Sequence, residues 1–208
     1  MKLKRIIKWY LSLLFSVQKI VVRKFYLKNY SKDNRVLSNI FLKEFELALI
    51  DKLLEFHDKV CTEWNFLFTR EDIIKRISEG HKCYIAVTNE NVIVGFYWIG
   101  INSLYSPDLR AKVSVSEDSI ISYNGFVDKT CRGLGVFPKM RNMAYSDFFN
   151  KGYKYAYGYS LSTNNAIASS SKKYGFKNVG KAYLGFIFGY HYIIRLFEKE
   201  CLLKIEKL

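Results

Sequence analysis

A run of strand-like residues, Ser119 to Val127, leads through Asp128 to Cys131 into Arg132-Gly133-Leu134-Gly135 and then a helix-like run, Val136 to Phe149. This succession restricts the fold more than any other part of the chain. A tight loop between a strand and a helix turns several backbone N–H groups toward one point. The positive end of the helix dipole adds to them, and the point becomes an anion site. The two glycines let the chain turn sharply and let a phosphate approach the backbone. Taken alone, a glycine pair fits a plain turn equally well.

The next forty residues narrow the choice. Lys151-Gly152 reads as a loop, Tyr153 to Leu161 as a Tyr-rich strand, and Asn164 as the start of a short helix that ends at Tyr174-Gly175-Phe176. This order resembles the GNAT superfamily of acyl-CoA-dependent N-acyltransferases. Arg132-Gly133-Leu134-Gly135-Val136 is similar to that family's pyrophosphate loop, Arg/Gln-x-x-Gly-x-Gly/Ala. Asn164, followed eleven residues later by Gly175-Phe176, is similar to its second signature. The resemblance covers residues 35–197, with both motifs inside 127–176. Two positions depart from the pattern. Phe137, followed by Pro138, stands where Gly or Ala is usual. Pro in the first turn of a helix is tolerated because its missing N–H would be unpaired there anyway. Ser171 stands where many members carry a Tyr that protonates the departing thiolate. Tyr174 lies three residues on and shares a helix face with it. Either hydroxyl, or water, could serve.

The resemblance implies an α/β fold with a mixed, mostly antiparallel central sheet flanked by helices and with splayed strands at the acyl-CoA site. It implies acetyl-CoA as co-substrate and a primary amine as acceptor. Amides from Arg132, Gly133, Leu134, Gly135, Val136 and Phe137 would hold the pyrophosphate. The N–H of Phe126 or Val127 would face the acyl oxygen, and Asn164 would contact the pantetheine arm or cap its own helix. The general base stays open between Tyr123, Asp128 and a water relay. His57, His81 and His191 show no metal spacing, so no metal is expected.

The rest of the chain reads in the same order. Asn34 to Leu42 suggests a strand. Leu47, Ile50, Leu53, Leu54 and His57 give Glu46 to Lys59 a helical stripe. Thr69 is a natural N-cap for a helix that stops at Gly80. Lys82 to Thr88 and Val92 to Asn102 read as a hairpin, 103–118 as a polar loop, and Val179–Phe188 with Tyr190–Phe197 as a closing hairpin.

The net charge of +14 is uneven. Residues 1–32 hold nine Lys or Arg and no acid. This segment reads as a basic amphipathic unit preceding an acyltransferase domain over 33–208. Residues 5–26 suggest a helix, with Ile6, Tyr10, Leu13, Val17, Ile20 and Val21 on one stripe. Such a helix suits an anionic membrane surface or packs on the domain itself. Its uncharged stretch is too short to span a bilayer. Nucleic-acid binding ranks lower, because no recognition motif accompanies the charge. Scattered Cys61, Cys83, Cys131 and Cys201 suit a reducing cytoplasm. The Gly-x-Gly-Val-Phe-Pro form of the loop resembles that of bacterial cell-surface sugar acetyltransferases. It points to an amino sugar, nucleotide-linked or lipid-linked, as acceptor. A non-catalytic CoA-binding or membrane-surface adaptor with the same fold is the alternative.

Overall fold

In the computed structural model, residues 15–30, 37, 39–61, 68–107, 109–187 and 190–207 are described. The strands are β1 (Phe15–Tyr26), β2 (Ile40–Glu44), β3 (Lys82–Thr88), β4 (Ile93–Ile101), β5 (Ser103–Ser106), β6 (Ala111–Ser114), β7 (Ser119–Val127), β8 (Tyr155–Leu161), β9 (Lys177–Ile187), β10 (Tyr190–Phe197) and β11 (Lys204–Glu206). The helices are α1 (Ile50–Cys61), α2 (Arg70–Ser78), α3 (Val136–Asn150) and α4 (Asn165–Lys173). Eight strands form one sheet in the order β10-β9-β1-β8-β7-β4-β3-β2, and β11-β6-β5 form a second, smaller sheet. Among the described pairs only β7 and β8 run parallel. None of the described helices is long and apolar enough to cross a membrane.

Local chemistry explains most of these elements. Thr69 and Asp72 make a reciprocal capping box at the start of α2, which satisfies two donors that the first turn would leave unpaired. β4 runs through the centre and is buried along nearly its whole length. One core lies on the side of α1, α2 and the small sheet, with Phe56, Ile73, Trp98, Ile121 and Tyr123. The other lies beneath α3, with Tyr97, Ile120, Met140, Ala144 and Tyr145.

The N-terminal segment departs from expectation. Residues 15–26 are not a helix. They form β1, which pairs antiparallel with β8 on one side and β9 on the other. The stripe at helical spacing was a coincidence of period. Val17, Ile20, Val21 and Val22 are β-branched, and such residues favour the pleated geometry when partners exist on both sides. Two cations of the segment are turned inward. Arg23 is buried and donates to Ser160 Oγ at 2.8 Å. Buried Lys24 places its Nζ 4.0 Å from the Tyr155 ring centroid. Residues 1–14, which carry Ile6, Tyr10 and Leu13 of the proposed stripe, lie outside the described residues.

The second correction concerns 103–118. This stretch is not a loop throughout but includes a short hairpin, β5–β6, extended by β11. Leu104, Ala111, Val113 and Ile205 bury their side chains on the α1/α2 side. Four-residue strands give an alternation too short to stand out in sequence.

Because β1 is internal to the sheet, Ile20→Ala is expected to cost about 2–5 kcal/mol in urea unfolding. Deleting 15–26 is expected to abolish cooperative unfolding altogether. A peripheral segment would leave the transition intact.

Candidate functional site

The parallel ladder between β7 and β8 begins at Ser119–Tyr155 and ends at Ser122–Gly158. β7 continues five residues further, to Val127, and β8 three, to Leu161. The two strands therefore part, and the sheet opens next to the glycine loop. On its other edge β7 stays bonded to β4, with a bulge at Asn124 where the register shifts between Tyr97 and Trp98. Asn124 takes φ +37°.

Strand alternation decides which amides face the opening. Asp128 donates its N–H to Val94 O at 2.8 Å. The register then makes Phe96–Phe126 the next hydrogen-bonded pair, so the Phe126 amide turns toward β4. Gly125 and Val127 turn theirs the opposite way, into the opening. Of the two amides expected to meet an acyl oxygen, that of Val127 turns into the opening together with that of Gly125, and that of Phe126 turns to β4.

The loop follows directly. Asp128 opens a 3-10 turn at Lys129–Cys131, Arg132 is extended, and Gly133 and Gly135 take φ +81° and +85°. Gly135 caps α3 without a side chain. None of the N–H groups from Gly133 to Phe137 bonds to another backbone group of the described residues. Arg132 folds back, its Nε donating to Val127 O at 3.0 Å and its guanidinium lying 4.9 Å from the Phe126 ring centroid. Phe137 does not crowd these amides. Its ring packs over Gly125, where an added Cβ would lie 2.5 Å from Cε2, and edge-on to Tyr97 at 5.2 Å. The missing side chain of Gly125 is what accommodates the bulky residue.

Two polar clusters flank the point where the strands part. On the α3 side, Ser122 Oγ shares hydrogen bonds with Tyr145 Oη at 2.7 Å and Tyr97 Oη at 2.7 Å. Burial holds both phenols above their ordinary pKa, most strongly at Tyr97. Next to them the buried Arg141 guanidinium stands 4.2 Å from the Tyr174 ring centroid. On the α1/α2 side, Tyr123 is the first β7 residue past the last rung. Its Oη lies 2.7 Å from Nδ1 of the buried His81. Burial lowers the His81 pKa; the Ser103 backbone and Glu79 oppose that shift, and Arg76 adds to it. Burial pushes Tyr123 upward, so the phenol keeps its proton. Arg76 covers the Tyr123 ring at 5.1 Å and is electrostatically coupled to Tyr159, the first β8 residue past the rung. Gly100 leaves room for this pair, since a Cβ there would lie 3.2 Å from the Tyr123 ring and 3.5 Å from His81.

The remaining expected residues fall in two places. Asp128 Oδ1 accepts from Thr130 N at 2.9 Å and Thr130 Oγ1 at 2.7 Å, and its Oδ2 accepts from Lys59 Nζ at 3.0 Å. The Thr130 hydroxyl, the Thr130 backbone N–H and then Lys59 hold its carboxyl down at about 2. Such a carboxylate is a weak base with its lone pairs engaged. Asn164 caps α4, its Oδ1 accepting from Ile167 N at 3.1 Å. Ser171 is half-buried in α4, and Tyr174 is its C-cap. Tyr123 thus stands at the opening, while Asp128 and Asn164 hold the backbone that shapes it. Arg76, His81, Tyr159 and Arg141 were not singled out from sequence. His81 and Tyr123 are 42 residues apart, and no local pattern links them. Asn124-Gly125 inside a strand pattern was the one available signal, since such a pair marks a bulge.

Structural comparison finds the fold among solved proteins. An acetyltransferase of the GNAT family from Staphylococcus aureus aligns with a TM-score of 0.52 at 18% identity, over 66% of this chain and 84% of that one. A fungal multi-domain β-N-acetylglucosaminidase described as having a GCN5-related glucosamine N-acetyltransferase region aligns at 0.59 and 11%, over 92% and 23%. An aminoglycoside 6′-N-acetyltransferase from Acinetobacter baumannii aligns at 0.54 and 10%, over 67% and 91%. The fold is that of the GNAT acetyltransferases. No family model matches the chain, and no curated protein does. Within this fold, the insertion of β1 between β8 and β9 separates the closing hairpin from the strand that borders the opening.

Gly125→Ala is expected to lower stability by about 1–3 kcal/mol through overpacking against Phe137. Phe137→Leu in the same chain should restore part of that in urea melts. Asp128 supports the loop with a depressed pKa, so its contribution is full above the ordinary carboxyl value of about 4. It disappears as pH falls through about 2. Asp128→Asn should therefore destabilise at pH 7, with the gap to wild type closing over that acid range in thermal melts.

Proposed function

We propose that the protein is an N-acyltransferase that moves an acetyl group from acetyl-CoA to a primary amine. One observation carries this reading. The amides of Gly125 and Val127 turn away from β4 into the opening, and further along the chain those of Gly133 through Phe137 bond to no other backbone group of the described residues. Donors at one end suit a thioester carbonyl, and a cluster at a helix N-terminus suits a diphosphate.

The reaction forms a C–N bond and breaks a C–S bond. One proton leaves nitrogen and one reaches sulfur. The Val127 N–H stands where the carbonyl oxygen gains charge, and it is already oriented by the ladder to β4. The loop amides fix the far end of the donor, so much of the acceleration comes from holding two reactants in register. Tyr123 takes the amine proton while its own passes to His81 Nδ1, a transfer already set at 2.7 Å. Burial keeps His81 neutral and able to receive it. Ser171, in the position that the family resemblance assigns to the thiolate's proton donor, gives its hydroxyl proton to the departing sulfur and regains one from water.

The acceptor we favour is an amino sugar. The Gly-Val-Phe-Pro form of the loop supports it. So does the likeness in fold to a glucosamine N-acetyltransferase region and to an aminoglycoside acetyltransferase. Purified protein with acetyl-CoA should give acetylated amino sugars or amino sugar nucleotides by mass spectrometry. Transfer to polyamines or peptides alone would sink the sugar reading, and no transfer to any amine would sink the enzyme.

Val127→Pro removes one N–H without touching the β4 ladder. It is expected to lower kcat about 10²- to 10³-fold, with some stability lost because the buried Val127 side chain is removed as well. An equal loss in a Phe126→Ala chain that keeps both amides would show that the effect is packing.

A further inference from the structure

Arg76 is a half-buried cation that makes no ion pair with a carboxylate of the described residues. It projects from α2 and stacks on three rings, at 4.0 Å from the Phe68 centroid, 5.2 Å from Trp98 and 5.1 Å from Tyr123. Its Nη1 is buried and bonds to no atom of the described residues. Burial lowers its pKa, and none of the groups that oppose this shift is a bonded acid. Asp72, one turn earlier on the same helix, is engaged in the capping box with Thr69. Glu79 pairs with Lys75 at 3.9 Å.

A guanidinium in this setting has unequal surfaces. Its flat faces suit aromatic rings, whereas its N–H edge suits a planar oxyanion held by two parallel hydrogen bonds. Here the described residues supply the rings and place no carboxylate on the N–H edge. Leaving a buried N–H donor of a cation without an acceptor is costly, so a fold that keeps one at this point is suited to a partner brought from outside. The location names the partner. Arg76 lies over Tyr123 and is coupled to Tyr159, the two residues that face each other across the start of the opening.

We propose that Arg76 binds an anionic group carried by the acceptor itself, so that the acylated amine belongs to a molecule bearing a carboxylate or a phosphate. This rests on the transferase reading for the identity of the acceptor, but its test does not need turnover. Titration calorimetry on the CoA-saturated protein compares glucosamine, glucosamine 6-phosphate and 2-amino-2-deoxygluconate. One of the two anionic amines is expected to bind about tenfold to a hundredfold more tightly than glucosamine, the range for a charge-assisted contact. Which one does so separates phosphate from carboxylate. Arg76→Gln should erase the preference and Arg76→Lys should keep part of it, with circular dichroism confirming that both are folded. Equal binding of all three, binding of neither anion, or a preference that survives Arg76→Gln would overturn the proposal. The last outcome would assign the preference to the overall +14 charge. Anion-selective binding without acyl transfer would instead count against the transferase and leave the Arg76 site standing.

Discussion

Everything at the site depends on one strand having a neighbour on only one side. β7 is bonded to β4 along its length but loses β8 after the Ser122–Gly158 rung. A backbone amide inside a protein must find an acceptor somewhere. For Gly125 and Val127 the described sheet provides none, and further along the chain the N–H groups from Gly133 to Phe137 make no hydrogen bond to another backbone group of the described residues. The parting of two strands thus converts an ordinary structural requirement into a capacity to bind. It also explains why the polar side chains cluster where they do. Ser122, Tyr97 and Tyr145 close the point of divergence from the α3 side, and Tyr123, His81 and Arg76 close it from the other.

The glycine loop and its strand are coupled by packing as much as by sequence order. Phe137 lies over Gly125, and Arg132 returns to Val127 O. Asp128 bonds to Thr130 and to Lys59 on α1. These contacts hold the two ends of the donor array at a fixed separation. A ligand that spans both ends then loses little of its binding energy in ordering the protein.

The amino-acid sequence disclosed the loop, the helix caps and the central strands, because each is specified within a few residues. Thr69 with Asp72, Gly133 with Gly135, and the apolar stripes at a single period all act locally. What escaped was set by pairing across the fold. Residues 15–26 satisfy helical spacing and strand spacing at once, and only β8 and β9 decide between them. The 103–118 stretch hides four-residue strands whose partner, β11, lies some ninety residues on. At the site, Tyr123 was visible as a candidate beside the loop. His81 was visible only as a lone histidine, and Arg76 only as one basic residue on an amphipathic helix. Their roles come from the register of β3, β4 and β7, which brings distant side chains to one face.

The position of β1 also sets an order in time. Ile20 pairs with Leu161 and with Ala182, so the first described strand of the chain completes its bonding with nearly the last. Contacts this far apart in sequence are slow to form, because a long loop must close before any of them is rewarded. On a ribosome the apolar run at 20–22 would emerge on the order of ten seconds before its partners. During that interval both its edges are open. The same strand that divides the closing hairpin from the opening in the finished protein is, while the chain is being made, the segment most in need of shelter.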